Sequence, residues 1–160
     1  MIITDTKLSS LNQSNALAIE LAKKSKGVTG ILHKTINKSF LHILPNQFIY
    51  FFLVIKFFFK KETFEKKIKL IISCGRISAP YNLILKKKLK CPNFHILDPY
   101  FNHNSFQKII VPEHDLNKFK STSNILITKG TLVDQSRLKI NKFHLEKLDK
   151  NLTKKKKFYY

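Results

Sequence analysis

Two short polar motifs stand where apolar runs end, and their residue types suit anion binding or proton transfer. One occupies residues 73–80 after the apolar run 68–72, and the other occupies residues 111–115 at the end of a shorter apolar run. In an open parallel α/β sheet, ligands bind outside the carboxyl ends of the strands. The two motifs therefore predict a ligand site at one edge of such a sheet.

The first motif combines a flexible turn with a cation. Gly75 allows a tight turn or the close approach of a ligand, and Arg76 could hold a phosphate or carboxylate through two parallel hydrogen bonds. Ser78 could cap the following helix and direct its N-terminus at an anion. The alternatives are a plain strand-to-helix turn with an exposed arginine, or an Arg76 that pairs internally with Glu113 or Asp98.

Nucleophilic and acid–base chemistry has its own candidates. Cys74 would act as a nucleophile only if a base such as His95 or His114 kept it as a thiolate; otherwise it is a small buried residue. Glu113, His114 and Asp115 could transfer protons or hold a metal, or form a hydrogen-bonded loop. On an extended chain only Glu113 and Asp115 would share a side.

Further candidate ligand-binding residues follow other apolar runs: Asp5, Asn12, Gln13, Asp98 and Gly130. The amides of Asn12 and Gln13 could bind a ligand or cap a helix. Two cysteines are too few for a disulfide framework or a four-cysteine zinc site. We therefore expect no metal and no cofactor.

The charge is strongly positive, at +20 from 30 basic and 10 acidic residues. Such an excess attracts nucleic acid or anionic lipid. However, arginine, the usual reader of DNA bases, occurs only at Arg76 and Arg137. The abundance of Lys, Asn, Ile and Phe, which have AT-rich codons, is an alternative origin of the charge. We therefore do not expect a nucleic-acid partner.

Residues 48–59 are almost wholly apolar, interrupted only by Lys56. A membrane-spanning helix needs about 20 such residues, so this run predicts a buried helix or, as the alternative, a helix in a membrane interface. The first residues carry no secretory pattern. We expect a cytoplasmic protein with a peripheral membrane contact.

Predicted strands and helices alternate along the chain. The strands are at 2–3, 28–36, 69–73, 94–97, 106–111 and 124–128, and the helices are at 12–24, 48–59, 80–88 and 137–148. This alternation predicts a Rossmann-like, doubly wound parallel α/β domain over residues 1–148. The Lys-rich tail, 149–160, is expected to be disordered.

The order of the polar motifs resembles the mitochondrial-fission Elm family, whose bacterial members are often labelled nucleoside-diphosphate-sugar epimerase-like. The matching segments are Thr4-Asp5 with Asn12-Gln13, then 73–80, 95–99, 106–115 and 124–130. The resemblance implies a glycosyltransferase-B-like protein of two Rossmann-type halves, of which this chain corresponds to the N-terminal one.

The resemblance also implies a ligand and a missing partner. The ligand would be a nucleotide sugar or phosphosugar at the sheet edge. The other half, which holds most of the donor nucleotide in such enzymes, would be a separate C-terminal chain or lost through truncation, so little or no activity is expected from this half alone. The alternative is a non-enzymatic adaptor at a membrane surface, as in plant members that recruit a dynamin-related protein.

Overall fold

The structure is a computed structural model that describes residues 1–25, 30–37, 43–59, 68–118 and 123–133. Several predictions from sequence fall outside these residues. They are the last helix at 137–148, the tail at 149–160, and the beginning of the second strand at 28–29.

Within the described residues, six parallel strands form one sheet in the order β2-β1-β3-β4-β5-β6. The strands are β1 Ile2–Thr4, β2 His33–Thr35, β3 Ile71–Cys74, β4 Asn93–Ile96, β5 Lys108–Pro112 and β6 Ile125–Thr128. The α-helices are α1 Leu8–Lys24, α2 Asn46–Phe59 and α3 Ser78–Leu89. The predicted Rossmann-like parallel sheet is confirmed.

Strand boundaries differ from the predicted ones most at β2. The predicted second strand began at residue 28, and of its described part, residues 30–36, His33–Thr35 pair with β1, with Ile2 opposite His33 and Thr4 opposite Thr35. Pairing with β1, and not the run of β-branched residues, therefore sets the length of this strand. The other strands begin or end within about two residues of the predicted bounds, the usual scatter at element ends.

Helices cover both faces of the sheet. On one face α1 packs Ala18 against Ile2 and Ile72. On the other face α3 packs Leu85 against Ile3. Neighbouring strand residues such as Ile2 and Ile3 point to opposite faces, and both are buried. A strand buried on both faces explains the continuous apolar runs in the sequence.

The apolar run 48–59 is helical, as predicted, and lies within α2. Ile49 and Leu53 are buried against Ile84 of α3. The prediction of a buried helix is right for this side only, because residues on the opposite side, Phe51 among them, are exposed. Among the described residues, no helix is both long and apolar enough to cross a membrane.

Candidate functional site

A cleft of about 450 Å³ opens at the carboxyl edge of the sheet, beside the ends of β1, β3 and β4. Strand β1 pairs with β2 on one side and with β3 on the other, so the chain changes direction across the sheet here. Such a switch point is where open α/β sheets bind ligands. Because β3 and β5 are parallel members of this sheet, the motifs that follow them share this edge, as predicted.

The structure brings some predicted site residues together and separates others. Those that line the cleft are Asp5, Gln13, Gly75, Arg76, Asp98 and Asp115. Those that do not line it are Asn12, Cys74, Ser78, Glu113, His114 and Gly130.

The turn after β1 places Asp5 at the cleft. Its Oδ1 accepts a hydrogen bond from the backbone N–H of Lys7 at 3.1 Å, which leads the chain into α1. Because α1 already begins at Leu8, Asn12 and Gln13 lie inside the helix, and the alternative that they cap it is wrong. Gln13 lines the cleft.

Gly75 allows the turn after β3 to approach β1 closely. Its φ of +87° is a left-handed conformation that side chains disfavour. A Cβ there would lie 3.4 Å from Asp5 Oδ2 and 3.5 Å from Ser10 Oγ. The absence of a side chain at Gly75 therefore shapes the floor of the cleft.

Cys74 lies beneath this floor and is fully buried. Burial raises the pKa of its thiol to about 12, although a hydrogen bond with Ser10 acts in the opposite direction. The thiol is therefore protonated at neutral pH and is not a nucleophile. Of the two interpretations of Cys74 from sequence, the structure supports the small buried residue.

Ser78 does not cap α3, contrary to the prediction. Ile77 occupies the N-cap position, without a side-chain cap. The Ser78 hydroxyl is buried and donates to the carbonyl oxygens of Cys74 at 2.8 Å and Gly75 at 2.7 Å. This hydroxyl therefore holds the turn and does not point to a ligand.

Arg76 lines the cleft and also contacts the start of α2. Its Nη1 donates to the carbonyl of Leu44 at 3.0 Å and to Asn46 Oδ1 at 3.5 Å. The guanidinium therefore lines the cleft and also bonds internally, and these two partners, Leu44 and Asn46, lie in a region that the sequence did not suggest. These contacts fix its position at the wall of the cleft.

Asn46 supports the cleft from behind its wall, a role that the sequence did not suggest. It is only 2% exposed, and its Nδ2 donates to the carbonyls of Arg76 at 2.8 Å and Pro99 at 2.7 Å. One side chain thus joins the start of α2 to the loops after β3 and β4. A polar residue just after Pro45, at the beginning of an apolar helix, was the available signal.

The loop after β4 is held in an uncommon backbone conformation. Leu97, Tyr100 and Asn102 have φ values of 72°, 60° and 46°, in the left-handed region. Asp98 Oδ1 accepts hydrogen bonds from Tyr100 N at 2.7 Å and His103 Nε2 at 3.0 Å. Conformations of this kind concentrate at ligand sites, and here both Leu97 and Tyr100 line the cleft.

The acidic motif after β5 is not extended. Glu113–Lys118 form a 3₁₀ helix, so the expectation that Glu113 and Asp115 share a side of an extended chain is wrong. Asp115 reaches the cleft, whereas Glu113 and His114 are exposed outside it. Within the described ranges, no three His, Cys, Asp or Glu side chains converge to hold a metal.

Gly130, after β6, has no cleft role. It is exposed, and a Cβ added there would meet nothing within 4 Å. The strand β6 ends away from the switch point, at the far edge of the sheet.

The cleft collects acidic side chains in a very basic protein. Asp5, Asp98 and Asp115 line it together with Lys7 and Arg76, although the whole chain has 30 basic and only 10 acidic residues. Carboxylates accept hydrogen bonds. The lining therefore suits a ligand with hydroxyl donors, and the cations of Lys7 and Arg76 suit a negative group on that ligand.

A buried polar cluster, made of Ser73, Asn82, Asn93 and His95, lies between α3 and the sheet. His95 Nδ1 is 2.7 Å from Ser73 Oγ. Burial lowers the pKa of His95 to about 3, although a hydrogen bond with the Asp98 backbone acts in the opposite direction. The imidazole is therefore neutral and buried, and it does not serve the cleft as a base.

Comparison with known families decides the relationship of this chain. The model of the family described as Mitochondrial fission ELM1 matches residues 10–157. The chain belongs to this family. No curated protein and no solved structure matched. The matched range includes every cleft residue described above except Asp5 and Lys7.

Proposed function

We propose that this ELM1-family protein binds a sugar-containing ligand in the cleft, as one half of a glycosyltransferase-B-like arrangement. The observation that carries the proposal is the lining of acidic and amide side chains at the switch point of a parallel sheet. The volume of about 450 Å³ is in the range of small-molecule sites.

The charges favour sugar hydroxyls over a bare phosphate. Asp5, Asp98 and Asp115 accept hydrogen bonds from hydroxyl groups and repel a dianion. A phosphate group on the ligand, as in a nucleotide sugar or phosphosugar, would lie on the side of Arg76 and Lys7. The exposed ring of Tyr100 at the rim offers an apolar surface to a sugar.

The proposed role is binding, and we assign no catalytic residue. Cys74 is a buried thiol and His95 a buried neutral imidazole, so neither supplies a nucleophile or a base at neutral pH. We propose that any transfer reaction takes its donor site from a separate C-terminal half. In that arrangement this chain holds the acceptor.

The test is calorimetric titration with a neutral disaccharide, glucose 1-phosphate, a uridine-diphosphate sugar and inorganic phosphate. Asp98→Asn should weaken sugar binding by about tenfold, because charged hydrogen bonds are lost. Arg76→Lys should weaken only the phosphorylated ligands, since the two-bond fork is lost while the charge remains.

The matched control is Glu113→Gln, which removes an exposed carboxylate outside the cleft and should leave every titration unchanged. Binding of inorganic phosphate alone, or equal affinities in Asp98→Asn and Glu113→Gln, would contradict a sugar site.

A further inference from the structure

The outer side of α2 presents an apolar face to solvent. Its members, with exposed fractions of 56%, 61%, 49% and 41%, are Phe48, Phe51, Phe52 and Ile55. They follow one another at i, i+3, i+4 and i+7, which places them on one stripe at about 100° per residue. We call these four residues the aromatic face.

The protein's own packing uses the other side of the helix. Ile49 and Leu53 are buried against α3, opposite the aromatic face. A helix that is apolar all round is usually buried in a core or in lipid, and a soluble monomer rarely exposes a contiguous patch of large apolar side chains. The aromatic face therefore fits a partner with an apolar surface of its own.

Lysines border α2. They are Lys34, Lys56, Lys87 and Lys88. Lys87 Nζ lies 5.4 Å from the centre of the Tyr50 ring. Lys88 Nζ and Lys34 Nζ lie 5.6 and 5.9 Å from the centre of the Phe57 ring. Neither α2 nor α3 contains an acidic residue. The rings of Tyr50 and Phe57 pack on the side of α2 that faces α3, so Lys34, Lys87 and Lys88 lie behind the aromatic face, whereas Lys56 is an exposed residue of α2 itself.

We propose that α2 lies in the interface of an anionic bilayer, with its aromatic face among the acyl chains and its bordering lysines at the lipid phosphates. A helix of 14 residues is about 21 Å long, too short to cross the hydrocarbon core but suited to lying in its plane. The proposal does not depend on the cleft or on its ligand.

The charge of α2 argues for lipid over a second copy of the chain. Pairing two copies through the aromatic face would bring together two helices that each carry Lys56 and contain no acidic residue. An anionic bilayer supplies both an apolar layer and a continuous negative surface.

A single tryptophan gives the sharpest test, because the chain contains none. Phe51→Trp should show a blue-shifted emission with phosphatidylglycerol-containing vesicles and strong quenching by brominated acyl chains. The control is Leu8→Trp, at an exposed apolar position on α1, which should show neither. Equal quenching of both reporters, or none, would overturn the proposal.

Flotation separates burial of the aromatic face from simple attraction of a basic protein. Phe48→Ser combined with Phe51→Ser should reduce vesicle binding by roughly tenfold or more, with circular dichroism unchanged. Leu126→Ser combined with Ile127→Ser, at exposed positions on β6, is the matched control and should bind like wild type. An equal loss in both would contradict an interfacial α2.

The bordering lysines are tested in the same assay. Lys56→Gln should weaken binding at low salt more than Lys24→Gln, which removes an equivalent charge from the end of α1. A wild-type dimer that the two Phe→Ser changes convert to a monomer, without any effect on flotation, would instead assign the face to a second copy.

Discussion

The buried polar cluster and the cleft contain similar side chains in opposite situations. In the cluster, Asn82 Nδ2 donates to Ser73 Oγ at 2.6 Å and Phe94 O at 2.9 Å, and its Oδ1 accepts from Asn93 at 2.8 Å. In the cleft, Gln13 lines an open volume of about 450 Å³. The amide of Asn82 therefore stabilises the fold through several hydrogen bonds, whereas the amide residue of the cleft lies beside open space.

The largest expected effect comes from acid, which acts on the cluster through His95. Above pH 6.5 the His95 imidazole is neutral in both the folded and the unfolded protein, so the free energy of unfolding does not change with pH through this group. Below pH 6.5 the unfolded chain binds a proton that the folded protein, with a His95 pKa of about 3, does not bind. As the pH falls from 6.5 towards 3, the free energy of unfolding should decrease by up to about 1.4 kcal/mol per pH unit.

Urea denaturation between pH 7 and pH 5, above the range where carboxylates titrate, measures this slope. His95→Asn removes the titrating group and should flatten the curve even if the variant is less stable at pH 7. If the free energy of unfolding of His95→Asn depends on pH as steeply as that of the wild type, another group causes the acid sensitivity.

The next effect compares two amides directly. Asn82→Leu should lower the free energy of unfolding by about 3 kcal/mol, because Asn93 and Ser73 lose buried partners. Gln13→Leu, the same change in the cleft, should shift it by less than about 0.5 kcal/mol. Comparable losses in the two variants, measured by chemical denaturation, would break the distinction between cluster and cleft.

The smallest effect concerns the backbone of the cleft. Gly75→Ala should cost about 1–2 kcal/mol, because the left-handed backbone is strained by a Cβ and that Cβ crowds Asp5. Gly130→Ala, at an exposed position with open space, is the control and should change stability by less than about 0.5 kcal/mol. If both glycines tolerate alanine equally, the close approach at Gly75 does not shape the cleft.

The sheet was predictable because its signal is local. Each strand is a short apolar run bounded by polar or turn residues, and alternation with helices predicts parallel pairing. The placement of Asp5, Gly75 and Asp98 at one edge follows directly from that topology. The start of α1 was placed too late, because its N-cap is Lys7, which is not a capping residue type, and the two serines that follow, Ser9 and Ser10, lie inside the helix.

The missed features depend on contacts between distant segments. Asn46 binds carbonyls 30 and 53 residues away, which no local pattern encodes. Residues 48–59 are apolar on every side, so periodicity could not tell which side of α2 packs on α3. Ser78 has the residue type of a cap, but the helix begins at Ser78 itself, with Ile77 in the cap position.

The position of β1 between β2 and β3 also constrains how the chain can be made. Ile2 and Ile3 pair on one side with β2, but on the other side they must wait for Ile72 and Ser73. The N-terminal amine of Met1 donates to the carbonyl of Leu70, 69 positions later. A nascent chain leaving the ribosome therefore carries one unpaired, apolar edge of strand β1 until about 70 residues have emerged. During that interval the growing chain is exposed to aggregation, and a pause in translation before β3 would prolong the exposure.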